Sequence, residues 1–353
     1  MPRAVAIPRT PSDLPSLLRD ESVTDSSFVP RGAGSGMPGG NVGSGVVVDC
    51  SGFRSLSVDS ERRLARAVAG VTWKEVNDAA GKLGLRLPPD PSSGAFATSG
   101  GMVSTNAAGP RTVQSGSVRR WIESLDIVAA SGEARTVRRG GGPGPLVLDP
   151  RRVAEVARAF PKTRKNSSGY AVDEFVRSGD ELDLLIGSEG TLAFVTAVEW
   201  RLEPLPRDVA GVALGFGDLS ELEDAVPLLL SLNPSAVELL DRTLLSFVQA
   251  PGLPQGLACL LLVEFERPTP AAARGVVGDA VRGLEGRSRH VQTAVDRKGL
   301  EQLWAVRRLA SPALARLPET RRSLQAIEDG CVPVNRLGEY VAGVQEAAAR
   351  VEV

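Results

Sequence analysis

Pro30-Arg31-Gly32-Ala33-Gly34-Ser35-Gly36-Met37-Pro38-Gly39-Gly40 is the stretch that decides how the rest of this chain is read. Glycine loses the most backbone entropy on folding and proline carries no N–H, so the stretch suits neither a helix nor a central strand. It suits a loop with positive φ angles and no Cβ atoms in the way, whose backbone N–H groups converge on an anion. Arg31 at its entrance adds forked cationic donors that match a phosphate. A pyrophosphate is the simplest ligand, and an unliganded surface turn is the bland alternative.

Gly34 to Gly39 satisfies G-x-G-x-x-G literally, but a dinucleotide fingerprint opens a helix. Here Gly40, Asn41, Val42, Gly43, Ser44 and Gly45 follow, and then a strand-like Val46-Val47-Val48-Asp49. That context sets aside a nicotinamide-dependent dehydrogenase. The lack of a Gly-Lys-Ser/Thr excludes a P-loop NTPase.

The 353 residues suffice for two or three domains with ample core. A net charge of -1 selects neither nucleic acid nor an anionic membrane surface. The 38 Gly and 25 Pro follow no period, which indicates a loop-rich α/β protein rather than disorder. Cys50, Cys259 and Cys331 lie far apart and never in C-x-x-C, so disulfides, zinc ribbons and iron–sulfur clusters within this chain are not expected. No N-terminal apolar h-region and no apolar run of membrane-span length is present. The expected location is the cytoplasm, peripheral to a membrane only through a partner.

Three more punctuated stretches follow the first. Pro88-Pro89-Asp90-Pro91-Ser92-Ser93 leads through Thr98 into Gly100-Gly101-Met102-Val103-Ser104-Thr105-Asn106-Ala107-Ala108-Gly109-Pro110-Arg111. This small-residue segment carries almost no charge, so it is expected as buried backbone lying against a flat ligand. Gly187-Ser188-Glu189-Gly190-Thr191 is the last bend, and the alternation from Leu192 to Leu202 predicts a long strand with one face in the core. Between these bends, Thr10-Pro11-Ser12-Asp13 opens a helix, Thr72 to Glu75 is a capping box, and residues 125–137 form a hairpin. Leu205-Pro206-Arg207-Asp208 marks a domain boundary. Beyond it strands and helices alternate, which suggests an antiparallel sheet with helices on one face.

Taken together and in this order, the four bends resemble the FAD-linked oxidases of the vanillyl-alcohol oxidase (PCMH) type. Within that superfamily the chain is similar to the FAD-dependent D-2-hydroxyacid dehydrogenases, which act on D-lactate, glycolate or D-2-hydroxyglutarate. Leu303-Trp304-Ala305-Val306-Arg307-Arg308 and Ile327-Glu328-Asp329-Gly330-Cys331-Val332-Pro333 are similar to the branch whose longer chains continue into an iron–sulfur region. The resemblance implies an α+β chain: a two-subdomain FAD-binding domain over residues 1–205, then a ferredoxin-like α+β cap domain on the substrate side over 206–353, apparently truncated.

Carried over by motif, Arg31, Gly32, Ala33, Gly34, Ser35 and Gly36 wrap the pyrophosphate. Pro89, Ser92, Ser93, Thr98, Gly100, Gly101, Thr105, Asn106, Ala108 and Gly109 line the flavin and its ribityl chain. Glu189, Gly190, Thr191 and Val195 pack on the adenosine portion. The lone His290 is expected in the cap and Cys50 lies outside the four bends, so the FAD is expected to be non-covalent. Arg307, with Arg308 next, is the expected anchor of the substrate carboxylate. The family's metal-binding His motif, which supplies the general base, does not occur here. A divalent metal and an iron–sulfur cluster are therefore expected only in a missing C-terminal part, and the chain is expected to be a piece of a longer enzyme. The expected partners are a small 2-hydroxy acid and an electron acceptor (an iron–sulfur region, a quinone or a protein). The alternative is a non-catalytic FAD-binding subunit of a glycolate-oxidase-like complex.

Overall fold

The structure, a computed structural model, describes residues 1–20, 22, 26–146, 148–163, 166–167, 169–248, 252–309, 316–318 and 330–351. It separates into two compact units, Met1–Leu205 and Pro206–Val353.

In the first unit β1 (Ala4–Ala6), β2 (Phe28–Arg31) and β3 (Val46–Asp49) make a parallel sheet in the order β1-β3-β2. Val46, Val47 and Val48 are all buried, as befits the middle strand of a sheet covered on both faces. β4 (Leu56–Asp59), β5 (Leu64–Val68), β6 (Leu85–Arg86), β7 (Ile122–Val128), β8 (Ala134–Arg138), β9 (Phe194–Arg201) and β10 (Glu203–Pro204) follow. β6 and β10 pair with each other, and the others form an antiparallel sheet in the order β4-β5-β9-β7-β8. The anticipated hairpin is β7–β8 and the anticipated long strand is β9. On β9 Val198 and Trp200 share the larger core with Val195, while Phe194 packs in a second cluster, because an irregularity in the pairing with β7 between Val195 and Ala197 switches the faces.

Helix Trp73–Gly81 starts with the capping box read from the sequence: Thr72 Oγ1 accepts from the Glu75 N–H, and Glu75 Oε2 accepts from the Thr72 N–H. The segment expected only as buried backbone coils instead into a short helix, Ser99–Ser104, capped by Thr98. Two glycines make it a poor helix by propensity, and tertiary packing wins: a Cβ on Gly100 would stand 2.9 Å from the Ala69 Cβ, so only glycine lets the helix approach β5 this closely. Helix Glu181–Leu185, passed over by the sequence, is buried along its whole length. Its Asp183 receives Arg119 Nη1 at 3.0 Å and Arg139 Nη1 at 2.8 Å, while Glu181 pairs with Arg135. Buried carboxylates survive there because each has guanidinium donors.

The second unit runs β11 (Asp208–Phe216), helix Leu222–Ser231, β12 (Ala236–Asp241), β13 (Cys259–Arg267), helix Pro270–Gly283 and β14 (His290–Ala294). All pairings are antiparallel and the order is β12-β13-β11-β14, the ferredoxin-like arrangement. Cys259, Leu261, Val263 and Phe265 face the two crossover helices, whereas Leu260 and Leu262 face the other way, toward Leu300 and Leu303 of helix Arg297–Leu303. Helices therefore lie on both faces of the sheet rather than one. The near-continuous apolar run of β13 is the reason, since neither face can be left wet. Ile327, Glu328 and Asp329 of the last motif lie outside the described residues.

Candidate functional site

A cleft open to solvent lies in the first unit. All four bends reach it. The first contributes Arg31, Gly32, Ala33, Gly34, Ser35 and Gly36, the second Ser93 and Thr98, and the third Gly100, Gly101 and Thr105. Glu189 comes from the fourth and Val195 from β9. Sequence separations of up to about 160 residues are closed because β2, β5 and β9 all end at this point.

The first bend is built for close approach. A Cβ on Gly32 would sit 2.2 Å from Thr98 Oγ1. Gly34 has φ +69, and the space beneath its Cα is filled by the Arg31 guanidinium. Among the described residues, no main-chain N–H from Ala33 to Gly36 is engaged by another protein group. Ala33, Ser35 and Gly36 are exposed and Gly34 is half-buried, so water can serve these amides, and a run of them also suits an anionic group.

Glu189 is the one carboxylate on the lining, held at φ +52 with Oε2 facing Gly40. A non-glycine residue in this conformation is uncommon, and here its N–H donates to the Ser104 carbonyl, which fixes the strained turn. The Arg31 guanidinium does not reach outward as the sequence suggests. Its Nη1 donates to the carbonyl and to Oδ1 of Asn41, both at 3.1 Å.

Pro89, Ser92, Asn106, Ala108, Gly109, Gly190 and Thr191 are not among the lining residues. Pro89 accepts from Trp73 Nε1 at 2.5 Å, Ser92 is exposed and Ala108 is half-buried. Asn106, buried at φ +48, accepts the Arg119 N–H and borders a separate polar cavity. Gly109 packs on Asp90 and Gly190 on Pro30, while Thr191 Oγ1 donates to the Ser188 carbonyl. These residues shape the bends that present the lining.

Asn41, Ala69, Met102 and Cys50 line the cleft without having been singled out. Cys50, placed outside the bends by sequence order, is brought in by strand pairing: its N–H donates to the Arg31 carbonyl. Burial, with Asp49 adding to it, pushes its thiol up to about 12. It is thus a protonated, non-nucleophilic wall.

In the second unit Arg307 Nε donates to Glu238 Oε1 at 2.7 Å, both side chains half-buried. Arg308 is exposed and donates to the Glu301 carbonyl. His290 sits on β14, half-buried, its pKa lowered by burial. No group of three or more His, Cys, Asp or Glu that could hold a metal occurs among the described residues. No helix among them is long and apolar enough to cross a membrane.

Residues 2–138 match the model of the FAD binding domain, and residues 205–353 that of the FAD linked oxidases, C-terminal domain. The D-lactate dehydrogenase of Archaeoglobus fulgidus is 30% identical over 344 residues, covering 95% of this chain and 68% of that protein. The chain belongs to the FAD-linked D-2-hydroxyacid dehydrogenase family. Glycolate oxidase subunit GlcD of Bacillus subtilis is 28% identical over 361 residues, spanning 100% of this chain and 69% of its own. A D-2-hydroxyglutarate dehydrogenase of Pantoea ananatis is 24% identical over 388 residues, and the chain spans 38% of it. A solved alkyldihydroxyacetonephosphate synthase shares the fold, with a TM-score of 0.62 at 18% identity over 88% of this chain and 55% of that one. The chain is accordingly an oxidoreductase with FAD as its cofactor, and the unengaged amides and side-chain-free floor of the cleft fit that group.

Proposed function

We propose that this protein oxidises a small D-2-hydroxy acid of the lactate, glycolate or 2-hydroxyglutarate class to the 2-oxo acid, with FAD held non-covalently in the Met1–Leu205 unit. The observation that carries this is the convergence of four sequence-distant bends on one cleft, the first of them presenting a run of main-chain N–H groups with no protein acceptor. FAD held there would supply hydride-accepting chemistry for the substrate's C2 hydrogen and a route for the electrons to a second acceptor.

The chain's own residues have simpler tasks. Residues Gly32 to Gly36 bind the diphosphate through main-chain N–H groups, which cost no reorganisation because the loop is already formed. Ser93, Thr98 and Thr105 offer hydroxyls to the ribityl and ring polar atoms. Glu189 accepts from a ribose hydroxyl, which suits an acid better than a phosphate does. Arg307 holds the substrate carboxylate, a role matched to its planar fork, with Glu238 fixing its orientation. Removal of the hydroxyl proton has no assigned residue in the described chain.

The test is a visible spectrum of the purified protein followed by anaerobic reduction. A flavin spectrum bleached by D-lactate, glycolate or D-2-hydroxyglutarate supports the proposal. A flavin spectrum that none of these bleaches, in the longest natural form of the protein, favours the non-catalytic subunit. A colourless protein that takes up no added FAD overturns both.

A further inference from the structure

A loop as glycine-rich as residues 31–40 populates many conformers unless something holds it. What holds it is a side chain outside every motif, Asn41. Its carboxamide oxygen and its own carbonyl both accept from Arg31 Nη1 at 3.1 Å, and its Nδ2 donates to the Gly36 carbonyl at 3.0 Å. The two neighbours fix which end of the amide is which, because a guanidinium can only donate and a carbonyl can only accept. One short side chain thus ties the first residue of the loop to its sixth.

Two consequences follow for an anion. The Gly36 carbonyl is turned onto Asn41, so its negative end does not face the N–H groups of Ala33 to Gly36. Arg31 is also pinned, its Nη2 beneath the Gly34 Cα, by neutral oxygens alone. Among the described residues no carboxylate pairs with it. A guanidinium anchored by neutral acceptors keeps its full charge at the cradle, whereas a carboxylate partner would cancel that charge.

We propose that Asn41 is a positioning residue for the diphosphate of FAD: it sets the loop amides and holds Arg31 in place as an uncompensated cation. The inference rests on residues 31–36 binding that diphosphate.

Asn41→Asp and Asn41→Ala test it. Aspartate keeps the shape and the bond from Arg31, but it neutralises the cation and loses the donor to Gly36. Apoprotein is titrated with FAD, with ADP and with riboflavin, which lacks the diphosphate, while the thermal midpoint of each apoprotein records its folding. Asn41→Asp is expected to weaken FAD and ADP by roughly tenfold to a hundredfold, the loss of one or two net hydrogen bonds and a charge contact. Riboflavin should bind as it does to the wild type. For Asn41→Ala a smaller loss on FAD and ADP is expected, because the cation stays uncompensated. FAD binding by Asn41→Asp within about twofold of wild type refutes the proposal, as does an equal loss of riboflavin, which would make Asn41 a general scaffold. If the wild type takes up neither FAD nor ADP, the cofactor assignment itself fails and the inference goes with it.

Discussion

Gly32→Ala is the sharpest probe of the cleft. The added methyl would stand 2.2 Å from Thr98 Oγ1, 3.3 Å from its Cβ and 3.5 Å from its Cγ2, where real Cβ atoms essentially never come closer than 3.0 Å. Thr98 cannot swing aside freely. It is buried, and its Oγ1 caps helix Ser99–Ser104 by accepting from the Gly101 N–H. Relief requires loss of that cap, about 1 kcal/mol, together with a backbone shift of the overpacking kind, about 1–3 kcal/mol, so a total of about 2–4 kcal/mol is expected. For a unit of this size that lowers the thermal midpoint by roughly 5–15 °C. Thr98→Ala alone should cost about 1 kcal/mol, the price of the cap. The double variant should cost less than the two singles together, by about 1–2 kcal/mol, since the surviving Cβ contact of 3.3 Å is tolerable. The assay is urea unfolding of all four proteins, with FAD titrated into each apoprotein. Additivity within about 0.5 kcal/mol would show that the loop does not lie on Thr98, and the cleft described here would be wrong.

Four further outcomes are expected. FAD at a hundredfold over its Kd should stabilise the protein by about 2.7 kcal/mol, read as a raised thermal midpoint; no shift contradicts binding to the folded cleft. Burial alone would raise the Asp183 carboxyl, but hydrogen bonds from Arg139 and Ser178, and the nearby guanidinium charges, hold it below its usual 3.8. Its contribution is therefore present above the unfolded value and lost as pH falls through the lowered folded one, so Asp183→Asn should destabilise by about 3 kcal/mol at pH 7 and flatten the acid limb of the stability curve. With a thiol reagent on the native apoprotein, exposed Cys331 should react fast, while Cys50 and Cys259, both pushed up to about 12 by burial first, should wait for unfolding; three fast thiols would contradict the packing. Arg307→Ala should raise the KM for a 2-hydroxy acid by at least about tenfold with FAD affinity unchanged, and an unaltered KM would remove Arg307 from the substrate site.

Local chemistry was legible without coordinates wherever the cause was local. The capping box at Thr72–Glu75 and the β7–β8 hairpin are short-range patterns, and each forms as its residues dictate, whereas the simple alternation read along β9 is broken by an irregularity between Val195 and Ala197. So does the glycine loop, because no other regular structure accepts residues 31–40. The same density of Gly and small residues misled at Ser99–Ser104. Propensity argues against a helix there, and only the proximity of Ala69 on one side and Trp200 on the other makes it form.

What the sequence by itself determined is the set of bends and the order in which they occur. Only the tertiary structure decided which members of each bend reach the cleft. Thr98 and Thr105 line it while Asn106 turns away at φ +48 to take the Arg119 N–H. It also decided that Cys50 and Asn41 belong to the site at all. A residue's type fixes what it can bond, but strand pairing and side-chain rotamers fix what stands within bonding distance. Those depend on contacts far apart in the chain, which no window of neighbouring residues contains.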